Sequence, residues 1–118
     1  MIWAVNNNVK KAKNWTFNSQ ELKLLTENGK HMRNMWDIPM TSVKEKEHGK
    51  HPSQKPLKVM DRLILGLTNE NEIILDPFCG SGSTAVSAKN NKRHYYTIDT
   101  NPDYIDLAKR RLASKKKE

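Results

Sequence analysis

Three apolar residues in a row, Ile73-Ile74-Leu75, run into Asp76 and then into the small-residue stretch Pro77-Phe78-Cys79-Gly80-Ser81-Gly82. A short unbroken apolar run followed by a carboxylate, a Pro and two Gly predicts a buried parallel strand whose carboxyl end opens into a ligand crevice. The following stretch, 83–90, reads as a helix that starts at Ser83 and Thr84, with Ala85, Val86 and Ala88 on its apolar face. Tyr95, Tyr96 and Ile98 then predict a second strand over 95–99 that ends at Asp99, its two tyrosines suiting a half-buried pleated surface. Upstream, Leu57, Met60, Ile64 and Leu67 recur at helical spacing with Leu63 beside them, giving a helix over 56–67 with Pro56 in its tolerated first turn. Downstream, Asn101-Pro102 opens a helix over 102–112 that packs through Tyr104, Ile105, Ala108 and Leu112. Lys109, Arg110 and Arg111 load its last turns with charge that suits the helix dipole. Strand and helix alternate, which predicts an α/β fold with right-handed crossovers and a mostly parallel sheet.

Before residue 50 the pattern weakens. Met1-Ile2-Trp3-Ala4-Val5 reads as a short apolar strand at the very start of the sequence, with no turn or cap ahead of it. A terminal strand needs neighbours to bury it, so this reads as a cut edge. Residues 6–18 are polar and basic with Trp15 and Phe17 embedded, the composition of a surface loop anchored by aromatics, of a loop over the substrate face or of a poorly ordered end. A helix is expected over 19–28, with Leu22 and Leu25 on one face and Gly29 as its stop. Lys30, His31 and Arg33 lie in a basic segment that turns apolar at Met35-Trp36 and ends at Pro39; they are either a solvated face or contacts to a phosphate backbone. Residues 41–50 form a linker of alternating charge with no evident chemistry.

A chain of 118 residues makes one domain with a modest core. The surplus of 21 Lys and Arg over 13 Asp and Glu, a net charge of +8, suits a polyanionic partner or merely a soluble basic surface. The single cysteine, Cys79, excludes an internal disulfide and a multi-cysteine zinc site, and suits a reducing cytoplasm. No apolar run approaches the roughly twenty residues of a membrane span, so a soluble protein without membrane association is expected.

Gly80 and Gly82 permit positive φ and a close approach to the main chain, and the helix behind them offers free N–H groups and a positive dipole end. Asp99 stands seventeen residues after Gly82, near the roughly twenty-residue offset of ribose-binding carboxylates in Rossmann-like sites. Asp76 has two compatible roles, capping the turn amides and accepting a hydrogen bond from a charged amine. Cys79 reads as a small filler. The block His51-Pro52-Ser53-Gln54-Lys55-Pro56 is a rigid loop leading into the helix before the Asp76 strand, with Lys55 a cationic donor.

Taken together, the His51 to Pro56 block, Asp76 to Gly82 and the Asp99 strand resemble the cofactor half of beta-class DNA amino-methyltransferases of the type II restriction-modification kind. The resemblance covers about residues 30–112 and corresponds to the carboxyl-terminal portion of such an enzyme. It implies a partial Rossmann-like methyltransferase fold, S-adenosylmethionine as cofactor, double-stranded DNA as partner, and methyl transfer to an exocyclic amine, adenine N6 in preference to cytosine N4. It assigns Asp76, Phe78, Gly80, Ser81 and Gly82 to the methionine-side turn, with Phe78 against adenine or the methionine chain. Asp99 goes to the ribose hydroxyls; Ser53, Gln54 and Lys55 line the methionine end, to contact its carboxylate or to order the pocket wall, with Lys55 on the wall opposite the turn; no metal is implied.

In that family the amine is activated by an Asp/Asn/Ser-Pro-Pro-aromatic motif on a loop into which the base is flipped. This sequence has no Pro-Pro pair. The resemblance therefore implies a cofactor half, 51–113, preceded by a remnant of the DNA-recognition side, 1–50, and followed by a basic tail, 114–118, with catalysis dependent on a missing amino-terminal half. A non-catalytic cofactor- or DNA-binding partner module, or the product of a disrupted methyltransferase gene, are the alternatives.

Overall fold

The computed structural model describes residues 16–114, so the expected strand at Ile2–Val5 and the tail at 115–118 lie outside the described residues. The elements run α1 (Ser19–Leu24), a 3-10 turn (Lys44–Lys46), α2 (Leu57–Leu67), β1 (Ile73–Asp76), α3 (Ser83–Asn90), β2 (His94–Thr97) and α4 (Pro102–Ala113). β1 and β2 pair in parallel, with Ile73 opposite His94 and Asp76 opposite Thr97. The pairing continues past the strand ends, where Ile98 N–H donates to the Asp76 carbonyl and Cys79 N–H to the Ile98 carbonyl, both at 2.9 Å. The crossover helix α3 packs on β2 and lies between α2 and α4.

The core sits in that helical layer. Ala85, Ser87 and Ala88 are the most deeply buried positions, and small side chains there let α2 and α4 approach α3 closely. Between α2 and α3 the contact is polar as well: Asp61 Oδ1 accepts from the Ser87 hydroxyl and, at 2.8 Å, from Asn91 Nδ2. A buried hydroxyl without an acceptor would cost free energy, so Asp61 fixes the register of the two helices.

Three elements depart from the sequence pattern. α1 stops at Leu24, short of the expected 28; just beyond its end the Thr26 hydroxyl lies 2.7 Å from the Lys23 carbonyl and 2.9 Å from the Lys30 carbonyl, tying the following turn together. β2 spans 94–97, ahead of the expected 95–99, since Asp99 and Thr100 already belong to the turn into α4. The charged linker is built into the fold: Glu45 Oε2 accepts the Leu57 N–H at 3.0 Å, capping the start of α2.

One face of the small sheet has no cover among the described residues. Ile73, Leu75 and Tyr96 are 62, 66 and 67% exposed, while their alternating neighbours are half-buried.

Candidate cofactor site

The carboxyl ends of β1 and β2 deliver two carboxylates to one turn. Asp76 Oδ1 accepts the Phe78 N–H at 3.0 Å and its Oδ2 accepts the Thr84 hydroxyl at 2.6 Å. Asp99 Oδ2 accepts the Gly80 N–H at 2.8 Å and its Oδ1 accepts the Asn101 N–H at 2.9 Å. These two amides hold the Asp99 carboxyl below the ordinary aspartate range, Asn101 having the larger effect and Gly80 the next, with His51 adding a smaller attraction. Each carboxylate oxygen keeps a further lone pair, so capping the turn and receiving a ligand's donors are compatible.

The glycines serve the turn for a reason the sequence did not reveal. Gly80 has φ +49°, and a Cβ there would come within 3.0 Å of the His51 ring; Gly82 has φ +75°, and a Cβ there would lie 2.6 Å from the Ala108 Cβ. Both positions need left-handed backbone, and in both the missing Cβ makes room for protein. His51 thus forms the floor of the turn, its ring edge against Tyr104 with centroids 4.2 Å apart and its Nδ1 accepting the Ser53 N–H at 3.1 Å.

The proline block is tied to the same turn through its backbone. Ser83 donates its hydroxyl to the Lys55 carbonyl at 2.8 Å, while the Lys55 and Ser53 side chains stay exposed beside it. Gln54 is buried in the wall. Its Nε2 donates to the Glu45 carbonyl at 2.7 Å, and Thr41 donates its hydroxyl to the Gln54 carbonyl at 3.0 Å. Asp76, Phe78, Gly80, Ser81, Gly82 and Asp99 therefore share one turn, Ser53 and Lys55 border it, and Gln54 supports it from within.

Phe78 stands 87% exposed at the rim, where its ring face can meet a flat group. Behind the rim, the first-turn N–H groups of α3 have no partners within their own helix. Cys79 is buried, and that burial pushes its thiol above its ordinary range, so it is a filler and a poor nucleophile. Acceptors, an exposed ring and unpaired amides together fit a ligand carrying hydroxyls, a flat base and a carboxylate. Among the described residues no group of His, Cys, Asp and Glu is arranged to hold a metal ion.

Two buried arginines support the turn and its surroundings, Arg93, which the sequence reading passed over, and Arg111, which it read only as charge suiting the dipole of α4. Arg111 is buried in α4 with its guanidinium against Ser81 and Ser83. Arg93, also buried, donates to the Thr68 carbonyl at 2.6 Å and the Asn91 carbonyl at 2.7 Å, joining the end of α2 to the start of β2. The signal for Arg111 was its spacing, three and four residues beyond Ala108 and Leu107 on the packing face. On the basic side, Arg62 lies over the Trp36 ring at 5.2 Å, while Lys30, His31 and Arg33 remain exposed.

Residues 2–110 match the family model N6_N4_Mtase, described as DNA methylase. The chain is 42% identical over 112 residues to the Type II methyltransferase M2.LlaDCHI of Lactococcus lactis subsp. cremoris, covering 95% of this chain and 40% of that protein. It is 33% identical over 123 residues to the DNA adenine methyltransferase YhdJ of Escherichia coli K12, covering 88% of this chain and 42% of that protein. Among solved structures, the M1.HpyAVI–SAM complex superposes with a TM-score of 0.65 at 34% identity over 85% of this chain and 45% of that one. The fold is thus the Rossmann-like one of S-adenosylmethionine-dependent methyltransferases, in part, and the chain spans about two-fifths of the length of the curated relatives it matches.

Proposed function

The chain belongs to the N6/N4 DNA methylase family, and from that membership we propose that it forms the S-adenosylmethionine-binding portion of a site-specific DNA methyltransferase acting on adenine N6. The observation that carries this reading is the meeting of Asp99 with the Gly80 turn, at the carboxyl ends of two parallel strands and beside the exposed ring of Phe78. A relative named as a DNA adenine methyltransferase supports the choice of base.

In this reading the spare lone pairs of Asp99 hold the ribose hydroxyls and Asp76 receives the methionine amine. The α3 amides face the methionine carboxylate, Phe78 covers the adenine or the methionine chain, and Ser53 and Lys55 close the opposite side while Gln54 keeps that wall rigid. S-adenosylmethionine supplies an electrophilic methyl group on its sulfonium. An exocyclic base amine is a poor nucleophile, because its lone pair is delocalised into the ring, and an acceptor for its N–H bonds is needed to localise that pair. With no Pro-Pro motif in this sequence, the acceptor is assigned to the complementary portion of the fold. That portion would cover the open face of Ile73, Leu75 and Tyr96, since parallel sheets are covered on both sides.

Residues 51–113 act as the cofactor half, 1–50 as part of the DNA-recognition side and 114–118 as a basic tail. Exposed Lys30, His31 and Arg33 meet the phosphates of double-stranded DNA. No described helix is long and apolar enough to cross a membrane, and a cytoplasmic setting is proposed because the substrate is DNA.

Calorimetric titration with S-adenosylmethionine, paired with tritiated methyl transfer to unmethylated duplex DNA, tests the reading. Saturable one-site binding is expected. Transfer should be absent from the chain alone and restored, as N6-methyladenine, by an amino-terminal methyltransferase fragment carrying the Pro-Pro motif. Absence of saturable binding overturns the cofactor assignment, and robust transfer by the chain alone overturns the assignment of the acceptor to another portion.

A further inference from the structure

Arg111 occupies a position that the pattern of α4 reserves for an apolar side chain. It follows Leu107 and Ala108 at four- and three-residue spacing, and only 6% of its surface is exposed. A guanidinium withdrawn from water persists only where protein acceptors replace its hydration. Those acceptors all belong to the turn region: Nη1 donates towards the Ser81 carbonyl at 2.7 Å, the Ser81 hydroxyl at 3.1 Å and the Ser83 hydroxyl at 3.1 Å. The Ser83 hydroxyl gives its own proton to the Lys55 carbonyl, so it meets Arg111 as an acceptor. One side chain on α4 thereby joins the turn after β1 to the proline block.

The strongest of these bonds fixes a peptide plane. Because the Ser81 carbonyl points inward to Arg111, the Gly82 N–H of the same planar unit must point the opposite way, and it donates to the Cys79 carbonyl at 2.8 Å. Without Arg111 that plane is held through the Gly82 N–H alone, and the partial negative charge of the Ser81 carbonyl is left uncompensated beside the start of α3.

We propose that Arg111 is a positioning residue for the cofactor: by holding the Ser81–Gly82 peptide and the Ser83 hydroxyl it keeps the methionine side of the site receptive to a carboxylate. This rests on the cofactor reading above. It predicts that Arg111 governs recognition of the amino-acid end of S-adenosylmethionine and leaves the nucleoside end untouched.

The test compares S-adenosylmethionine with 5′-methylthioadenosine, which lacks the amino-acid end, by calorimetry on the wild type, Arg111→Met and Arg111→Lys, with thermal melting to count the folded fraction. Arg111→Met should weaken S-adenosylmethionine roughly tenfold or more, the scale of a lost hydrogen bond to a charged group, while 5′-methylthioadenosine binds as to wild type. Arg111→Lys, which keeps a donor within reach, should recover part of the loss. Equal loss for both ligands, or a lower melting temperature with both affinities unchanged, overturns the proposal and leaves Arg111 a packing residue. Should the Arg111 variants fail to fold, Ser83→Ala decides, since it removes an acceptor of Arg111 and its link to the Lys55 carbonyl while leaving Ser81 in place: a loss confined to S-adenosylmethionine supports the proposal and any other pattern overturns it. Failure of the wild type to bind S-adenosylmethionine overturns the cofactor reading and this inference with it, whereas a wild type that binds beside unaffected variants overturns this inference alone.

Discussion

The Asp99 carboxylate accepts the Gly80 backbone N–H across 2.8 Å, so the end of β2 is fastened to the turn that follows β1. The same carboxylate caps its own descending turn through Asn101 N–H, whose residue in turn caps α4 by accepting the Asp103 N–H at 2.9 Å. One side chain therefore sets both the shape of the glycine turn and the start of the helix that packs behind it.

Stability should depend on the charge of Asp99. Its folded pKa lies below the ordinary value of 3.8, so its contribution is fully present above that value and is lost as pH falls through the folded pKa. Melting temperature measured from pH 6 downward, over a range of roughly three units that spans the aspartate pKa, should fall more steeply for the wild type than for Asp99→Asn. Parallel curves for the two would show that the carboxylate charge contributes nothing.

Asp99 also carries the ribose assignment. Asp99→Ala should weaken S-adenosylmethionine binding by roughly tenfold or more, as expected for losing a charged hydrogen-bond partner. Unchanged calorimetric affinity in a folded variant would remove Asp99 from the site.

The two glycines of the turn should differ in their tolerance of a methyl group. At Gly80 the obstacle is the His51 ring, a side chain able to turn aside, and alanine should cost about 1–2 kcal/mol, chiefly for left-handed backbone. At Gly82 the obstacle is the Ala108 Cβ and its backbone, which yield only if α4 shifts, and the cost should reach about 2–5 kcal/mol once overpacking is added. Urea unfolding gives both values. Adding His51→Ala should relieve part of the Gly80→Ala cost and none of the Gly82→Ala cost; equal relief in both would contradict this packing account. Gly80→Val, bulkier and β-branched, should be worse than Gly80→Ala in both stability and cofactor binding.

Asp61 should prove a structural residue with no part in binding. Asp61→Ala removes the acceptor of the Ser87 hydroxyl and one acceptor of the Asn91 amide, which keeps the Ser87 carbonyl, inside the α2–α3 contact. That should cost about 1–3 kcal/mol in urea unfolding, with Asp61→Asn recovering part of it through the remaining carbonyl. A loss of S-adenosylmethionine affinity in folded Asp61→Asn would contradict the assignment.

The parts of the fold that were legible from sequence are those where a local rule and the tertiary structure agree. The run Ile73 to Leu75 ending at Asp76, the 83–90 helix and Pro102 opening α4 each follow from residue type and spacing alone, and the structure keeps them. The carboxyl end of β2 was less legible, since apolar Ile98 extends the strand pattern while the Asp99 side chain folds the backbone into a turn. What escaped was polar chemistry over long sequence separations. Glu45 capping α2, Arg93 holding Thr68 and Arg111 holding Ser81 are each an ordinary charged residue until the fold brings an acceptor or an amide to it. The same holds for Gly80: its need for positive φ was readable, but the His51 ring occupying its missing Cβ was not.

The open sheet face offers a way to separate cofactor binding from assembly. Ile73 and Leu75 point to the side of β1 that no described residue covers and are already 62 and 66% exposed, so a charge there should cost the isolated chain little. In an assembled methyltransferase the same positions would lie under a packed layer, where an unpaired carboxylate is costly. The double variant Ile73→Glu/Leu75→Glu should therefore bind S-adenosylmethionine as the wild type does, yet fail to yield methyl transfer when mixed with an amino-terminal fragment under the conditions expected to activate the wild type. Binding is read by calorimetry and assembly by analytical ultracentrifugation of the mixture alongside the tritium assay. If the double variant assembles and transfers methyl groups at the wild-type rate, the complementary portion does not sit on this face, and the apolar side chains of β1 and β2 must be covered by something else.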